Sequence, residues 1–306
     1  MSNKREDIIF LKITNSCNLG CSYCIYNHNN DGLYINENKI DQIMFYHINK
    51  GYNKKYRVDL IGGEPTYNPA EMYRIINYLL YKYDQNIIQL NIITNAINLD
   101  DNMIFQLKKN KKIVLSISYD GDGIYNRYNK TISLDIRNKI IRYSKEIPIT
   151  VYTVIGINQN YNPLIDIYTM SKGMVRQRIF EDHRSYTLNF DDYKKYIDIM
   201  CEMWRDYISY LNYNENIIKM PLANIGKYIH LFYRGVENDG SFDICSYKVF
   251  SDIDDVYDRC ARYNYIKNSG IDNPCIRCTS YGKYLTERKR DIEKEVIFFE
   301  YKNKFR

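Results

Sequence analysis

Three cysteines stand within eight residues, Cys17, Cys21 and Cys24, in the stretch SCNLGCSYCIY from Ser16 to Tyr26. Thiolates are metal ligands, and three on one short loop make a ligand set that leaves a position open. Two chemistries fit the spacing. The thiolates can hold three irons of a [4Fe–4S] cluster, whose fourth iron is then free for another group. Alternatively, they can join one further ligand around zinc. Four more cysteines gather near the end of the sequence, Cys245, Cys260, Cys275 and Cys278. Four thiolates could saturate a second [4Fe–4S] cluster or a structural zinc. The eighth, Cys201 in DIMCEMW, reads as a core residue on an apolar helix face. This three–one–four grouping argues for metal sites over a disulfide framework, because ligands gathered locally close their loops at low entropic cost.

A second motif is GGEP, Gly62 to Pro65. Glycines let a backbone approach a neighbour closely, and Glu64 offers an acceptor to an amino group.

All of these positions follow strand-like segments. IIFLKIT (Ile8 to Thr14) leads into the cysteine triplet, and VDLIGGE (Val58 to Glu64) runs into GGEP. LNIITN (Leu90 to Asn95), IVLSISYD (Ile113 to Asp120) and ITVYTVIG (Ile149 to Gly156) follow, with a weaker sixth in MVRQRIF (Met174 to Phe180). Near-continuous apolar runs suit strands buried on both faces of a parallel sheet. Helical periodicity fills the gaps, as in ENKIDQIMFYHIN and in PAEMYRIINYLLYKY, where Pro69 suits a helix start. The alternation predicts an α/β fold, a partial (β/α)6 TIM-like barrel over residues 1–185. Function in such barrels collects at the C-terminal strand ends. Residues 186–306 are expected to form a helical and cysteine-rich region that opens with a long helix over Asn189–Tyr213.

The net charge of +6 is dispersed along the chain, which suits a solvated surface better than nucleic-acid binding. The charged start MSNKREDIIF does not read as a signal peptide, and no run of about 18 apolar residues suggests a membrane span. A reducing cytoplasm is the expected compartment for eight cysteines of this pattern.

CNLGCSYC followed by GGEP resembles the radical S-adenosylmethionine (SAM) enzymes. The likeness is greatest to the branch with a SPASM or twitch auxiliary-cluster region, which includes anaerobic sulfatase-maturating and peptide-modifying enzymes. It runs from about Ile8 to Ile157 in order and spacing, then resumes in the cysteine-rich end. IITNA resembles the family's Thr-Asn-Gly segment, with Ala96 in place of glycine. SISYDG resembles its Ser-x-Asp-Gly segment at Ser118, Asp120 and Gly121, and Arg127 is a looser match. Tyr26 matches an aromatic that lies near the adenine or the cluster in relatives.

The resemblance implies a cofactor set. Cys17, Cys21 and Cys24 would hold a [4Fe–4S] cluster whose open iron takes the amine and carboxylate of SAM. An electron from a reductant such as flavodoxin or ferredoxin would cleave SAM to a 5′-deoxyadenosyl radical, which takes hydrogen from an unactivated C–H bond. Gly62, Gly63 and Glu64 would meet the methionyl amine, with Asn95 and Ser118 at the ribose or carboxylate. Cys245, Cys260, Cys275 and Cys278 would carry one auxiliary [4Fe–4S] cluster, as in the shorter twitch region, since a full SPASM region has more cysteines. The expected substrate is a peptide or protein. With strand one starting near Ile8, its recognition is expected to fall to the barrel, the C-terminal part or another protein. A small molecule or nucleotide is the rival substrate. An iron–sulfur or zinc protein that binds a partner without catalysis is the rival outside enzymes.

Overall fold

The computed structural model describes residues 7–24, 30–50, 55–121, 127, 130–157, 161–213, 229–231, 249–251 and 269–271, together with Tyr281, Tyr284, Glu287, Arg288 and Asp291. Tyr26, Cys245, Cys260, Cys275 and Cys278 lie outside the described residues. The fold class is the expected α/β partial barrel. Strands β1 (Asp7–Thr14), β2 (Tyr56–Gly62), β3 (Ile87–Thr94), β4 (Ile113–Ser118), β5 (Ile149–Ile155) and β6 (Arg176–Glu181) alternate with helices α1 (Glu37–Lys50), α2 (Pro69–Tyr83), α3 (Asp101–Leu107), α4 (Lys130–Tyr143) and α5 (Pro163–Ser171). Helix α6 (Phe190–Tyr213) follows, then short strands β7 (Ile229–Leu231) and β8 (Val249–Ser251).

The chain divides into two compact units. The first comprises residues 1–118, 138–150 and 247–261. In it the strands lie in the order β8-β1-β2-β3-β4, all parallel. Strand β8 is a structural addition to the sequence reading: Val249 to Ser251 pair with Phe10 to Lys12 on the outer side of β1. The strands are buried on both faces, but the faces differ. Ile9, Leu11, Ile13, Val58, Leu60, Leu90, Ile92, Leu115 and Ile117 are closed from solvent. The alternate positions include Lys12, Arg57, Asp59, Asn91 and Ser116, which are buried as well. Part of that polarity is paired within the sheet. The Arg57 guanidinium grips both Asp59 carboxylate oxygens at 2.5 and 2.8 Å, and the Ser116 hydroxyl donates to Asn91 Oδ1 at 2.8 Å. Apolar periodicity alone hid this second face.

Helix starts follow local chemistry. Asn68 caps α2 by accepting from the Ala70 and Glu71 N–H groups, and Pro69 occupies the first turn, where a missing N–H costs nothing. Met72, Ile75, Ile76 and Leu79 then bury one face. Asp100 caps α3 through the Met103 N–H at 2.7 Å. Helix α5, not singled out from the sequence, is capped by Asn162 with Pro163 behind it.

The second unit comprises residues 119–137, 151–246 and 262–306. Its core forms where Ile155, Leu164, Tyr193, Tyr196, Ile197, Met200, Cys201, Met203, Tyr207 and Tyr281 meet. Cys201 is fully buried there, as its helix face implied. Tyr281 stacks on Tyr193 with ring centroids 4.2 Å apart and donates to the Leu188 carbonyl at 2.5 Å. Asp198 accepts from the Tyr284 hydroxyl and the Arg288 guanidinium at 3.0 and 2.8 Å. Among the described residues no helix is long and apolar enough to cross a membrane.

Candidate active site at the strand ends

The site is built where β1, β2, β3 and β4 end. Past Thr14, the chain turns into the cysteine loop, and its two legs are stitched together. The Cys17 N–H donates to Asn30 Oδ1 at 3.1 Å, the Gly32 N–H to the Ser16 hydroxyl at 2.9 Å, and the Thr14 hydroxyl to the Leu33 carbonyl at 2.7 Å. Tyr34 pins the returning leg to the GGEP turn. Its hydroxyl accepts from the Asn68 N–H at 2.8 Å and donates to the Pro65 carbonyl at 3.3 Å.

The glycines of GGEP serve this stitching. The Gly63 N–H donates to the Thr14 carbonyl at 2.9 Å and the Glu64 N–H to the Ser16 carbonyl at 2.8 Å. A Cβ on Gly62 would overlap the Thr14 carbonyl oxygen, and one on Gly63 the Ser16 carbonyl oxygen. The close approach is therefore to the base of the cysteine loop itself.

Glu64 is 1 % exposed and faces inward. Its Oε1 accepts from the Thr66 N–H at 2.9 Å and from the Thr66 and Thr94 hydroxyls at 2.6 Å each. Its Oε2 accepts from the Asn95 N–H at 2.7 Å. Burial pushes the carboxyl above its ordinary value, and these donors pull the other way. Removing a carboxylate that satisfies four buried donors costs about 3 kcal/mol or more. Thr66 and Thr94 were not singled out from the sequence. Thr94 sits beside Asn95 in the motif itself, and Thr66 follows Glu64 at the spacing of a capped turn, so both carried a faint local signal.

Asn95 is buried at the end of β3, and Ser118 closes β4 half-buried. Ala96 sits in the left-handed region at φ 61°, fully buried, where the resembling family has glycine. The cost of that conformation, about 1–2 kcal/mol for a residue with a Cβ, is offset by bonds around it. The Ala96 N–H reaches the Thr94 hydroxyl at 2.9 Å, and the Lys139 ammonium holds the Ala96 and Ile97 carbonyls at 3.1 and 2.9 Å. Nothing local in the sequence pointed to Lys139.

Cys17 is buried, while Cys21 and Cys24 are half-buried, and all three are free thiols. The Cys24 N–H closes a turn on the Cys21 carbonyl at 3.0 Å. Burial pushes the Cys17 thiol up to about 11; the Leu19 N–H opposes the rise, and Glu64, Cys21 and Cys24 add to it. To serve as a ligand, that thiol would have to give up its proton to the metal. Among the described residues, no three His, Cys, Asp or Glu side chains converge at the distance of a single ion. A [4Fe–4S] cluster asks for a different arrangement, because each thiolate binds its own iron. Three free thiols on one pinned loop, beside a turn that leaves no room for side chains, fit that group.

In the second unit, Asp120 is also buried. Its carboxylate accepts from the Val154 N–H at 2.9 Å and from Arg127 at 3.1 Å. The two residues of the Ser-x-Asp-Gly and Arg matches thus meet each other.

Comparison with known proteins agrees with this geometry. Residues 11–170 match the family model of the Radical SAM superfamily. An uncharacterised protein of Methanocaldococcus jannaschii is 30% identical over 156 residues, 48% of this chain and 52% of that protein. The radical SAM cyclopropyl synthase TigE of Paramaledivibacter caminithermalis is 28% identical over 148 residues, 43% of this chain and 31% of that protein. The matches therefore span about half, or less, of these relatives. Streptococcus suis SuiB bound to its precursor peptide SuiA aligns at a TM-score of 0.53 and 16% identity, over 69% of this chain and 47% of SuiB. Native anSMEcpe with AdoMet and the Cp18Cys peptide aligns at 0.52 and 19% identity, over 69% of this chain and 62% of that one. These likenesses establish the fold. The family implies a [4Fe–4S] cluster and SAM, and the family match covers more than half of the chain: it belongs to the radical SAM superfamily.

Proposed function

We propose that this chain is a radical SAM enzyme that abstracts hydrogen from a peptide or protein substrate. The observation that carries the reading is the triplet of free thiols at the end of β1, hydrogen-bonded at its base to the Gly62–Glu64 turn. Cys17, Cys21 and Cys24 hold the cluster. The backbone of the Gly62–Glu64 turn meets the methionyl amine of SAM, with the Glu64 carboxylate turned inward to brace it, and the strand ends at Asn95 and Ser118 meet its carboxylate or ribose. Tyr26 lies against the adenine or the cluster. Bound there, the reduced cluster and SAM supply a 5′-deoxyadenosyl radical for hydrogen abstraction. The chain's own part is to hold three deprotonated thiolates, to keep the turn rigid and to exclude water at the strand ends.

Residues 1–185 form the catalytic barrel in this reading. Residues 186–306 form the auxiliary region, with Cys245, Cys260, Cys275 and Cys278 around a second [4Fe–4S] cluster that relays electrons or stabilises the fold. A flavodoxin or ferredoxin supplies the electron, and the oxygen-sensitive thiolates favour the cytoplasm. The peptide substrate is supported by the SuiB and anSMEcpe structures, both solved with peptides.

The test is anaerobic reconstitution followed by a 5′-deoxyadenosine assay under strong reductant, with candidate peptides set against nucleotides. Peptide-dependent product supports the reading, and nucleotide-dependent product replaces the substrate class. Replacing Cys17, Cys21 and Cys24 together with alanine should abolish SAM cleavage and leave the C-terminal metal in place. Continued cleavage by that variant would sink the assignment of the triplet.

A further inference from the structure

The structure assigns Asn18 a role that rests on the radical SAM reading and deepens it. We propose that Asn18 is a positioning residue, tying the arc between Cys17 and Cys21 to the end of β3. The loop that carries the cluster and the strand ends that carry SAM then move as one body.

Three side-chain amides form a chain of hydrogen bonds. Asn95 Nδ2 donates to Asn18 Oδ1 at 2.7 Å, across 77 positions of sequence. Asn18 Nδ2 donates to Asn98 Oδ1 at 3.4 Å, and Asn98 Nδ2 to the Thr66 carbonyl at 3.0 Å. At the other end, Asn95 Oδ1 accepts from the Ile97 N–H at 3.0 Å. An amide can be turned over without changing its shape, so its orientation needs a reason. Here both ends supply one. The Thr66 carbonyl only accepts, so Asn98 must present Nδ2 to it and Oδ1 to Asn18. The Ile97 N–H only donates, so Asn95 must present Oδ1 to it and Nδ2 to Asn18. One orientation of all three amides satisfies every bond.

Both ends of the chain are themselves fixed. Asn95 is held through its N–H by Glu64 Oε2, and Thr66 holds Glu64 through both its N–H and its hydroxyl. Asn18 is exposed and Asn95 is 5 % exposed, so the chain of amides runs from the buried strand ends out to the loop. The legs of the loop are pinned at Cys17 with Asn30 and at Ser16 with Gly32. Asn18 places a cross-strand bond on the arc itself. It also fixes the orientation of the Asn95 amide, which keeps a second N–H and a second lone pair beyond its bonds to Asn18 and Ile97.

The experiment uses the full chain, anaerobically reconstituted, with Asn18→Ala, Asn95→Ala, the double variant and Asn18→Asp. Melting temperature, iron content, SAM affinity and the SAM-induced change in the spin-resonance spectrum of the reduced protein are measured. Asn18→Ala should keep its melting temperature and iron, weaken SAM binding about tenfold and blunt the spectral change. The double variant should lose less than the product of the two single losses, because the lesions share the Asn18–Asn95 bond. Asn18→Asp keeps the acceptor for Asn95 but turns a second acceptor on Asn98 Oδ1, so its SAM affinity should fall between those of the unaltered chain and Asn18→Ala. Unchanged SAM affinity in Asn18→Ala, losses that multiply in the double variant, or a fall in melting temperature together with iron would each overturn the proposal. In those cases the family reading stands if the unaltered chain still shows the SAM-dependent spectrum. If the unaltered chain shows none, the reading and the proposal both fall.

Discussion

The strand ends around the cysteine loop and the core around α6 are held by opposite means. At the loop, short polar groups make directional bonds to backbone: Thr14, Ser16, Glu64, Thr94, Asn95, Asn98 and Lys139 each bond a main-chain N–H or carbonyl. Around α6, large rings pack on one another, with hydroxyl bonds such as that from Tyr196 to the Ile155 carbonyl at 2.6 Å. Directional bonds fix position to a fraction of an ångström, and each loses its value when one partner goes. Ring packing is spread over many weak contacts and tolerates small changes. In the proposed reading three thiols meet a rigid inorganic cluster, which needs the first kind of support; a helix that closes a core can use the second.

The largest break of that comparison should come from Gly63→Ala. A methyl there overlaps the Ser16 carbonyl, so the turn or the loop base must move. We expect a loss of about 3 kcal/mol in denaturant unfolding, together with reduced iron uptake. Full stability in this variant would mean that the turn does not brace the loop.

A paired test sharpens it. Thr94→Val preserves shape but removes a donor to Glu64 and the acceptor of the Ala96 N–H. We expect a cost of about 2 kcal/mol. Tyr281→Phe keeps the ring on Tyr193 and loses only the bond to the Leu188 carbonyl, for about 1 kcal/mol. Urea titration of both variants would reverse the comparison if the tyrosine proved the costlier.

The smallest effect has the opposite sign. Ala96→Gly removes left-handed strain, and the flexibility gained by the unfolded chain takes part of the gain back. A net stabilisation of about 0.5 kcal/mol is expected, visible as a rise in melting temperature. A fall would show that the bonds from Lys139 and Thr94 fully relieve the strain.

Much of the fold was legible because its signals are local. Each of the six strand segments was placed to within a few residues, and α2 matched from Pro69 to Tyr83. Helix α5 escaped because nine residues give little periodicity to read, although its Asn-Pro start is a capping signal. Strand β8 escaped because three residues carry no pattern at all, and its place beside β1 is a long-range pairing. The site divides similarly. Glu64 was legible as a functional candidate, but two of its four donors were not, since Thr94 and Asn95 lie 30 and 31 positions away.

The sequence by itself determined the chemistry on offer: three thiols within eight residues, a glycine pair before Glu64, and apolar runs at the spacing of alternating strands and helices. These follow from residue type and short-range geometry, which any window of the chain contains. Only the tertiary structure decided where the polar side chains point. The Glu64 carboxylate turns inward to β3, Lys139 reaches back 43 positions to the Ala96 carbonyl, and Asn18 meets Asn95 across 77. The physical reason is that a hydrogen bond depends on which strand ends are neighbours, and parallel neighbours are joined through long crossovers that no local pattern records.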